Sequence, residues 1–326
     1  MSMTEAVGGS ENSSAEQSVV ALISHPDCGR HDTGWGHSEH VGRLTAIPRA
    51  LKYRPDLFTS LRHLEGRHAT LDELALVQDR AYVDRVKALA ESGGGALDPD
   101  TVASEGSWDA ARAAAGCVLD GVDMAFDGSS LRSFSAVRPP GHHALRDAAM
   151  GFCIFGNVAM AAHYALQSAK GCNGVLIVDW DVHHGNGTQA LVEQDSRIHF
   201  VSMHQWPWYP GTGAADDRGP LETVWNVPMA PSLPGERYID ALLAAVDAAT
   251  RNFTPDLVLL SCGFDCMAGD PLGGFTLTAD DIGFLTREMV QRAQSWCGGR
   301  LVSALEGGYA PSAVAEAVMV HLEALL

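Results

Sequence analysis

The 326-residue chain predicts an α/β fold, with a largely parallel central sheet covered by helices on both faces. Three observations predict it. Short apolar runs bounded by Gly or polar residues, such as Val175-Leu176-Ile177-Val178, read as strands buried on both faces. Strand, loop and helix signals alternate at least five times, the pattern of βα units. The loops rich in His, Asp and Gly all follow strands, so they share one edge of the sheet, where open α/β sheets build their sites. No internal repeat and no Pro/Ser-rich linker splits the chain, so one domain is expected over 19–326.

The elements follow in order. Residues 1–18 are rich in Ser, Glu, Gly and Asn without a period and are expected to be a disordered tail. Val19–Ser24 is a strand, and His25–His40 a polar loop with four histidines. Local hydrogen bonding is favoured over metal binding for that loop, because better ligands lie elsewhere. Helices are expected over 43–54 and 71–91, the second broken near Asp79. Residues 96–105 read as loop around Asp98-Pro99-Asp100, and 108–126 as an Ala-rich amphipathic helix. A short strand over 134–137 runs into Arg138–Ala144 (RPPGHHA), and 153–168 reads as a buried helix. Strands follow at 175–178, 198–203, 224–227, 256–261 and 300–305. Helices are expected at 237–252, at 278–296 with Thr278 as cap, and from EGGYAPS to Leu326.

Composition narrows the function. Hydrophobic residues make up 46% and charged residues 19%, an ordinary globular balance. A net charge of -18 argues against nucleic-acid binding and suits neutral or basic partners such as a Lys-rich peptide. Seven scattered cysteines with no CxxC pair point to reduced thiols rather than a disulfide framework. Neither a secretory signal nor an apolar run of about 18 residues is present, so the cytoplasm is expected.

The chemistry centres on Gly174–Gln189, GVLIVDWDVHHGNGTQ. Asp181 and His183 stand two apart as the strand ends, and in extended chain i and i+2 point the same way. Asp265 follows another strand in GFDCMAGDPLGG. Asp, His and Asp make three N/O ligands, a count that leaves one position open and fits catalytic zinc. That position can hold water, whose pKa zinc lowers to about 7. The tandem pair His142-His143, stiffened by Pro139-Pro140, is placed to manage protons. Asp179 is placed to orient one imidazole, and Tyr309 in EGGY to donate to an oxyanion. These parts describe metal-assisted hydrolysis of an amide.

RPPGHHA, GFCIFGNVA, DWDVHHGNGTQ, GFDCMAGDPLGG and LEGGY occur in that order. On these motifs the chain resembles the zinc-dependent histone deacetylase family, most like its class II and bacterial deacetylase-like amidohydrolase branch, over residues 19–326. The resemblance implies a single-domain arginase/deacetylase-like fold with an eight-stranded parallel sheet. It implies Zn²⁺ on Asp181, His183 and Asp265, with His143 as general base and later acid, His142 as electrostatic partner and Asp179 bonded to His142. Asn186 stands where class II relatives carry Asn and class I relatives Asp, and Tyr309 matches the transition-state tyrosine. Phe152 and Tyr209 match the aromatic walls around the acyl-lysine stem, with Gly151, Leu272 and Asp98 as further substrate-binding positions. Asp98 reads equally as a turn former before Pro. K⁺ is implied near Asp179, Asp181, His183, Ser202 and Met203, and a homo-oligomer is compatible with the family.

Two departures matter. The family's HPE-x-P-x-R reads HSEHVGR here, and Leu272 stands where polyamine-specific relatives place Glu. A Leu cannot pair with a polyamine ammonium, so acyl-lysine in peptides or proteins is favoured over acetylpolyamines or other small amides. Trp206-Pro207-Trp208 fits either the pocket mouth or the core. A binuclear Mn²⁺ ureohydrolase of the arginase type would need further carboxylate ligands, whereas HHGN stands in their place. A silent acyl-ligand binder would be expected to lack Tyr309 or a ligand, and none is missing.

Overall fold

The computed structural model describes residues 20–167 and 170–326; the expected tail lies outside them. The chain runs β1 (Val20–Ser24), α1 (Gly42–Leu51), α2 (Pro55–Ser60), β2 (Leu61–Glu65), α3 (Leu71–Leu74), α4 (Arg80–Glu91), β3 (Gly94–Ala96), β4 (Val102–Ser104), α5 (Ser107–Asp127) and β5 (Arg132–Ser135). It continues with α6 (Asn157–Ala165), β6 (Val175–Asp179), α7 (Asn186–Val192), β7 (Ile198–Gln205), β8 (Val224–Met229), α8 (Gly235–Thr250), β9 (Leu257–Cys262), α9 (Ala279–Cys297), β10 (Leu301–Leu305) and α10 (Pro311–Leu325). Eight strands form one sheet in the order β2-β1-β5-β10-β9-β6-β7-β8, every pair parallel. The expected α/β class and eight-stranded sheet are observed.

Alternation along each central strand feeds two cores. In β6, Val175 and Ile177 face the core shared with α4, α5 and α6, while Leu176 and Val178 face the core shared with α8, α9 and α10. The same split divides Leu257 and Leu259 from Val258 and Leu260 in β9. Period-two geometry with apolar residues at every position is what burial on both faces demands.

The differences from expectation have physical causes. β2 (LRHLE) is an edge strand with three exposed residues, so its composition carries no strand signal. The expected loop over 96–105 is closed by the antiparallel hairpin β3–β4, whereas the break expected near Asp79 in the 71–91 helix is observed, between α3 and α4. α6 starts only after Gly156, because Cys153 is held in a bridge with Met150. Residues 186–192, within and beyond the HHGNGTQ stretch, form the short helix α7.

The sheet order places the site. β5 lies third and β6 sixth, and β9 and β10 return to fill the gap between them. Four adjacent strands, β5, β10, β9 and β6, therefore deliver RPPGHH, EGGY, GFDC and DWDVHH to one stretch of the carboxyl edge, as at a topological switch point.

A buried ion cluster braces these loops. Glu39 is fully buried and receives Arg138 through two bonds of 2.8 and 2.7 Å and Arg43 at 3.0 Å. Arg43 also donates to the carbonyls of Glu306 and Gly308, and Arg138 to those of His31 and Cys28. Burial alone would raise the Glu39 pKa; the Arg138 and Arg43 guanidiniums outweigh it and hold it far below the usual value. With the folded pKa depressed, its stabilisation is present above the unfolded value of 4.5 and is lost as pH falls through the folded one. Removing one partner of a buried pair costs about 3–5 kcal/mol. Urea unfolding of Glu39→Gln is expected to register a loss of that size at neutral pH that shrinks on acidification; an unchanged midpoint would contradict the bracing role.

Candidate active site

The four strand-end loops meet around a cavity of about 220 Å³, lined by Asp100, His143, Gly151, Phe152, His183, Trp208, Tyr209, Leu272 and Tyr309. At its floor the carboxylates of Asp181 and Asp265 and the imidazole of His183 converge, their ligand atoms all within 4.8 Å of one another. His183 Nδ1 lies 3.0 Å from Asp181 Oδ1 and 3.2 Å from Asp265 Oδ2. Both carboxylates have zero exposure. The other oxygens are held by backbone: Val182 N–H donates to Asp265 Oδ1 at 2.9 Å and Gly307 N–H to Asp181 Oδ2 at 2.8 Å. A Cβ at Gly307 would lie 2.1 Å from Asp265 Oδ2, so only glycine lets the EGGY backbone approach this closely.

The donor set fits a zinc ion. Asp265 Oδ2 is buried and accepts no hydrogen bond, an orphan aimed at the point where the three groups meet. Burial, then the Asp181 charge, pushes the Asp265 carboxyl up to about 7. Burial works against the charge on His183, yet Asp181 and Asp265 bring its pKa up to about 10. Two carboxylates packed this closely call for a cation, and one imidazole with two carboxylates is the N/O donor set zinc accepts.

The tandem imidazoles have different surroundings. His142 Nδ1 donates to Asp179 Oδ2 at 3.1 Å, and His142 Nε2 lies 3.8 Å from Asp181 Oδ2. Burial opposes its charge, but Asp181 and Asp179 outweigh that and lift its pKa to about 10. His143, with its ring 4.0 Å from that of His142, is pushed well below the usual value by burial and then by its neighbour's charge. His143 Nδ1 lies 2.7 Å from Asn186 Oδ1. A neutral ring donating there leaves Nε2 with a free lone pair. Two titratable groups driven apart by environment are the mark of acid–base division of labour.

Tyr309 is 8% exposed, lines the same cavity and meets Phe152 edge-on at 5.7 Å. Tyr209 meets both His143 and His183 edge-on, at 5.1 and 6.0 Å. Phe152 has φ of 69°, a strained left-handed value. It is held there because Gly151 N–H donates to Asp100 Oδ1 and Phe152 N–H to Thr101 Oγ1, at 3.0 and 2.9 Å. Trp208 stands at the mouth, 45% exposed, its indole N–H on the Leu272 carbonyl at 2.9 Å; Trp206 is half-buried.

Of the two readings of Asp98, the turn former is the one observed. Its Oδ1 accepts from the backbone N–H of Asp100 and Thr101, closing its own turn, and Asp100 is the residue that reaches the cavity. A carboxylate before Pro is spent on local backbone, which leaves the second Asp of the turn free to project. Glu306, a functional residue the motif alone does not single out, holds the tandem-His loop: its Oε2 accepts Gly141 N–H at 2.6 Å and His142 N–H at 3.1 Å. Its signal in the sequence is an acidic residue directly behind a buried strand, the same cue that marks Asp181. Asp179 and Ser202 are register partners on β6 and β7, and Met203 follows in β7.

The histidines of the 25–40 loop find partners within the protein, two of them local and two from distant segments. His25 caps Asp27 N–H, His31 meets Ser107 at 2.6 Å, His40 takes Gly42 N–H, and His37 packs on Phe152 at 4.8 Å. His25, Asp27 and His68 do cluster, but Asp27 already pairs with the Arg30 guanidinium at 3.1 Å. Among the described residues no helix is long and apolar enough to cross a membrane.

The family profile described as "Histone deacetylase domain" matches residues 37–325. The chain is 42% identical over 311 residues to the uncharacterized protein slr0245 of Synechocystis sp., covering 94% of this chain and all of that one. It is 36% identical to histone deacetylase 7 and 35% to histone deacetylase 9 of Homo sapiens, over 94% and 92% of this chain. It spans only 35% and 32% of those two proteins' lengths. The crystal structure of the HDA15 HD domain superposes with a TM-score of 0.88 at 35% identity, covering 94% of this chain and 88% of that one. A profile match over most of the chain, a shared fold and a converging Asp-His-Asp site lead to one conclusion: the chain belongs to the histone deacetylase family and is class II-like within it.

Proposed function

We propose that the protein is a Zn²⁺-dependent deacylase that hydrolyses the N-acyl amide of lysine side chains in peptides or proteins. Membership of the family carries deacetylase hydrolysis in general. The finer reading is carried by one observation: His143, His183 and Tyr309 line a single cavity whose walls are Phe152 and Tyr209. Asp181, His183 and Asp265 would hold the zinc, which when bound polarises the acyl carbonyl and lowers the pKa of water to about 7.

The protein's own groups do the rest. Asn186 fixes the His143 tautomer, so its Nε2 accepts the proton from the attacking water and later returns it to the leaving lysine amine. His142, whose Nδ1 proton is held by Asp179 at 3.1 Å, is placed to favour the negative charge that develops on the acyl oxygen. The Tyr309 hydroxyl donates to that oxygen. Phe152 and Tyr209 enclose the apolar lysine stem, with Gly151 and Leu272 completing the tunnel. Asn186 supports the class II-like placement, and Leu272 supports lysine over polyamine. K⁺ is proposed beside Asp179, Asp181, His183, Ser202 and Met203, where carboxylate and hydroxyl oxygens suit a hard cation. The catalytic unit is taken as 19–326 and the compartment as the cytoplasm.

The test is a panel of acetyl-, trifluoroacetyl- and longer acyl-lysine peptides alongside acetylspermidine and acetylputrescine, with and without chelator. Acetyl-lysine peptides are expected to exceed the polyamines by at least about tenfold in kcat/KM, about 1.4 kcal/mol of discrimination. Faster acetylpolyamine turnover would assign the small-amide reading instead. Turnover indifferent to chelator would remove the metal from the mechanism.

A further inference from the structure

We propose that Asp270 is a positioning residue that sets Tyr309 and the Leu272 wall of the pocket with one carboxylate. The inference rests on the reading of Tyr309 as oxyanion donor given above. Asp270 is 7% exposed and carries no cation; it receives three backbone N–H groups instead. Its Oδ2 accepts from Tyr309 at 2.6 Å and from Ala310 at 3.3 Å. Its Oδ1 accepts from Leu272 at 2.9 Å. Leu272 in turn offers its carbonyl to the Trp208 indole at 2.9 Å. Trp208, Leu272 and Tyr309 all line the catalytic cavity. One buried carboxylate thus ties the mouth of the pocket to the residue at its reacting end.

The backbone around Tyr309 explains why such a tie is needed. Gly308, immediately before it, has φ of 114°, a left-handed conformation that L side chains rarely adopt. Its carbonyl is held by Arg43 from one side. The Tyr309 amide on the other side is held by Asp270. The α10 N-terminus begins at Ala310 with no side-chain cap of its own, so the carboxylate also meets the positive end of that helix. A helix cap alone would account for the Ala310 contact. The second oxygen closes a turn on Leu272, two residues on, so the carboxylate that holds the Tyr309 amide also fixes the segment carrying the Leu272 wall.

The geometry makes a distinguishable prediction for the full chain loaded with zinc, assayed on an acetyl-lysine peptide. Asp270→Ala is expected to keep wild-type zinc content and lose about 10- to 100-fold in kcat, of the size that follows misplacement of a positioned group. KM is expected to rise as well, since the Leu272 wall is released. Built on Tyr309→Phe, the same substitution is expected to lower kcat less than about twofold, because residues acting as a unit are not additive. Equal losses in the two backgrounds would mean that the carboxylate serves the fold at large and would overturn the proposal. Should Asp270→Ala not fold, Asp270→Asn, which keeps one acceptor oxygen, is read in the same cycle with the same two outcomes. Full turnover by Tyr309→Phe alone would instead overturn the oxyanion reading, a result seen before Asp270 is touched.

Discussion

Tyr309→Phe is expected to bind zinc and an acyl-lysine peptide as the unaltered protein does, and to lose about 10²–10³ in kcat, the usual cost of one oxyanion donor. The ring is enclosed by Phe152, with the Arg43 guanidinium 5.1 Å over it, so removing one oxygen leaves its packing in place. The Tyr309 phenol is driven well above its ordinary pKa by burial, and then by the charges of Asp265 and Asp181. It therefore stays a donor throughout the working pH range. Steady-state kinetics with metal analysis on one preparation separates the outcomes: a fall in kcat with unchanged metal supports the role, and full activity contradicts it.

Asp265→Ala is expected to abolish turnover by abolishing the metal. Three protein ligands become two, and the lost one is the orphaned Oδ2 that accepts no hydrogen bond from the protein. Activity is expected to fall to the level of the chelator-treated protein, and added Zn²⁺ should not restore it at concentrations that restore the chelated wild type. The Asp265 Oδ1 contact to Val182 N–H is also lost, so the turn carrying His183 should loosen. Metal content measured after dialysis decides the matter: one zinc per chain in Asp265→Ala would rule out the ligand.

Much of this site was legible because its residues announce themselves locally. A continuous apolar run followed by Asp-x-Asp-x-His-His can scarcely be anything but a strand entering a polar turn. The adjacent prolines and glycines around His142, Asp265 and Tyr309 restrict or free the backbone by rules that need no partner. The strand expected over 134–137 lies two positions earlier, at Arg132–Ser135, because it begins with polar side chains. β2 was invisible because an edge strand needs no apolar face. Asp98 and Asp100 could not be told apart by position alone: which of two carboxylates folds back onto its own turn depends on the hairpin that closes behind them.

The sequence by itself determined the class of fold, the division of the sheet into two apolar faces and the kinds of atom offered to a metal. Those follow from periodicity, backbone restriction and side-chain chemistry, each of which acts within a few residues. Only the tertiary structure decided which loops meet. The late strands β9 and β10 return between β5 and β6, bringing residues about 80 to 170 positions apart to one point. That arrangement drives the two adjacent imidazoles to opposite protonation preferences, because burial and neighbouring carboxylates act through space.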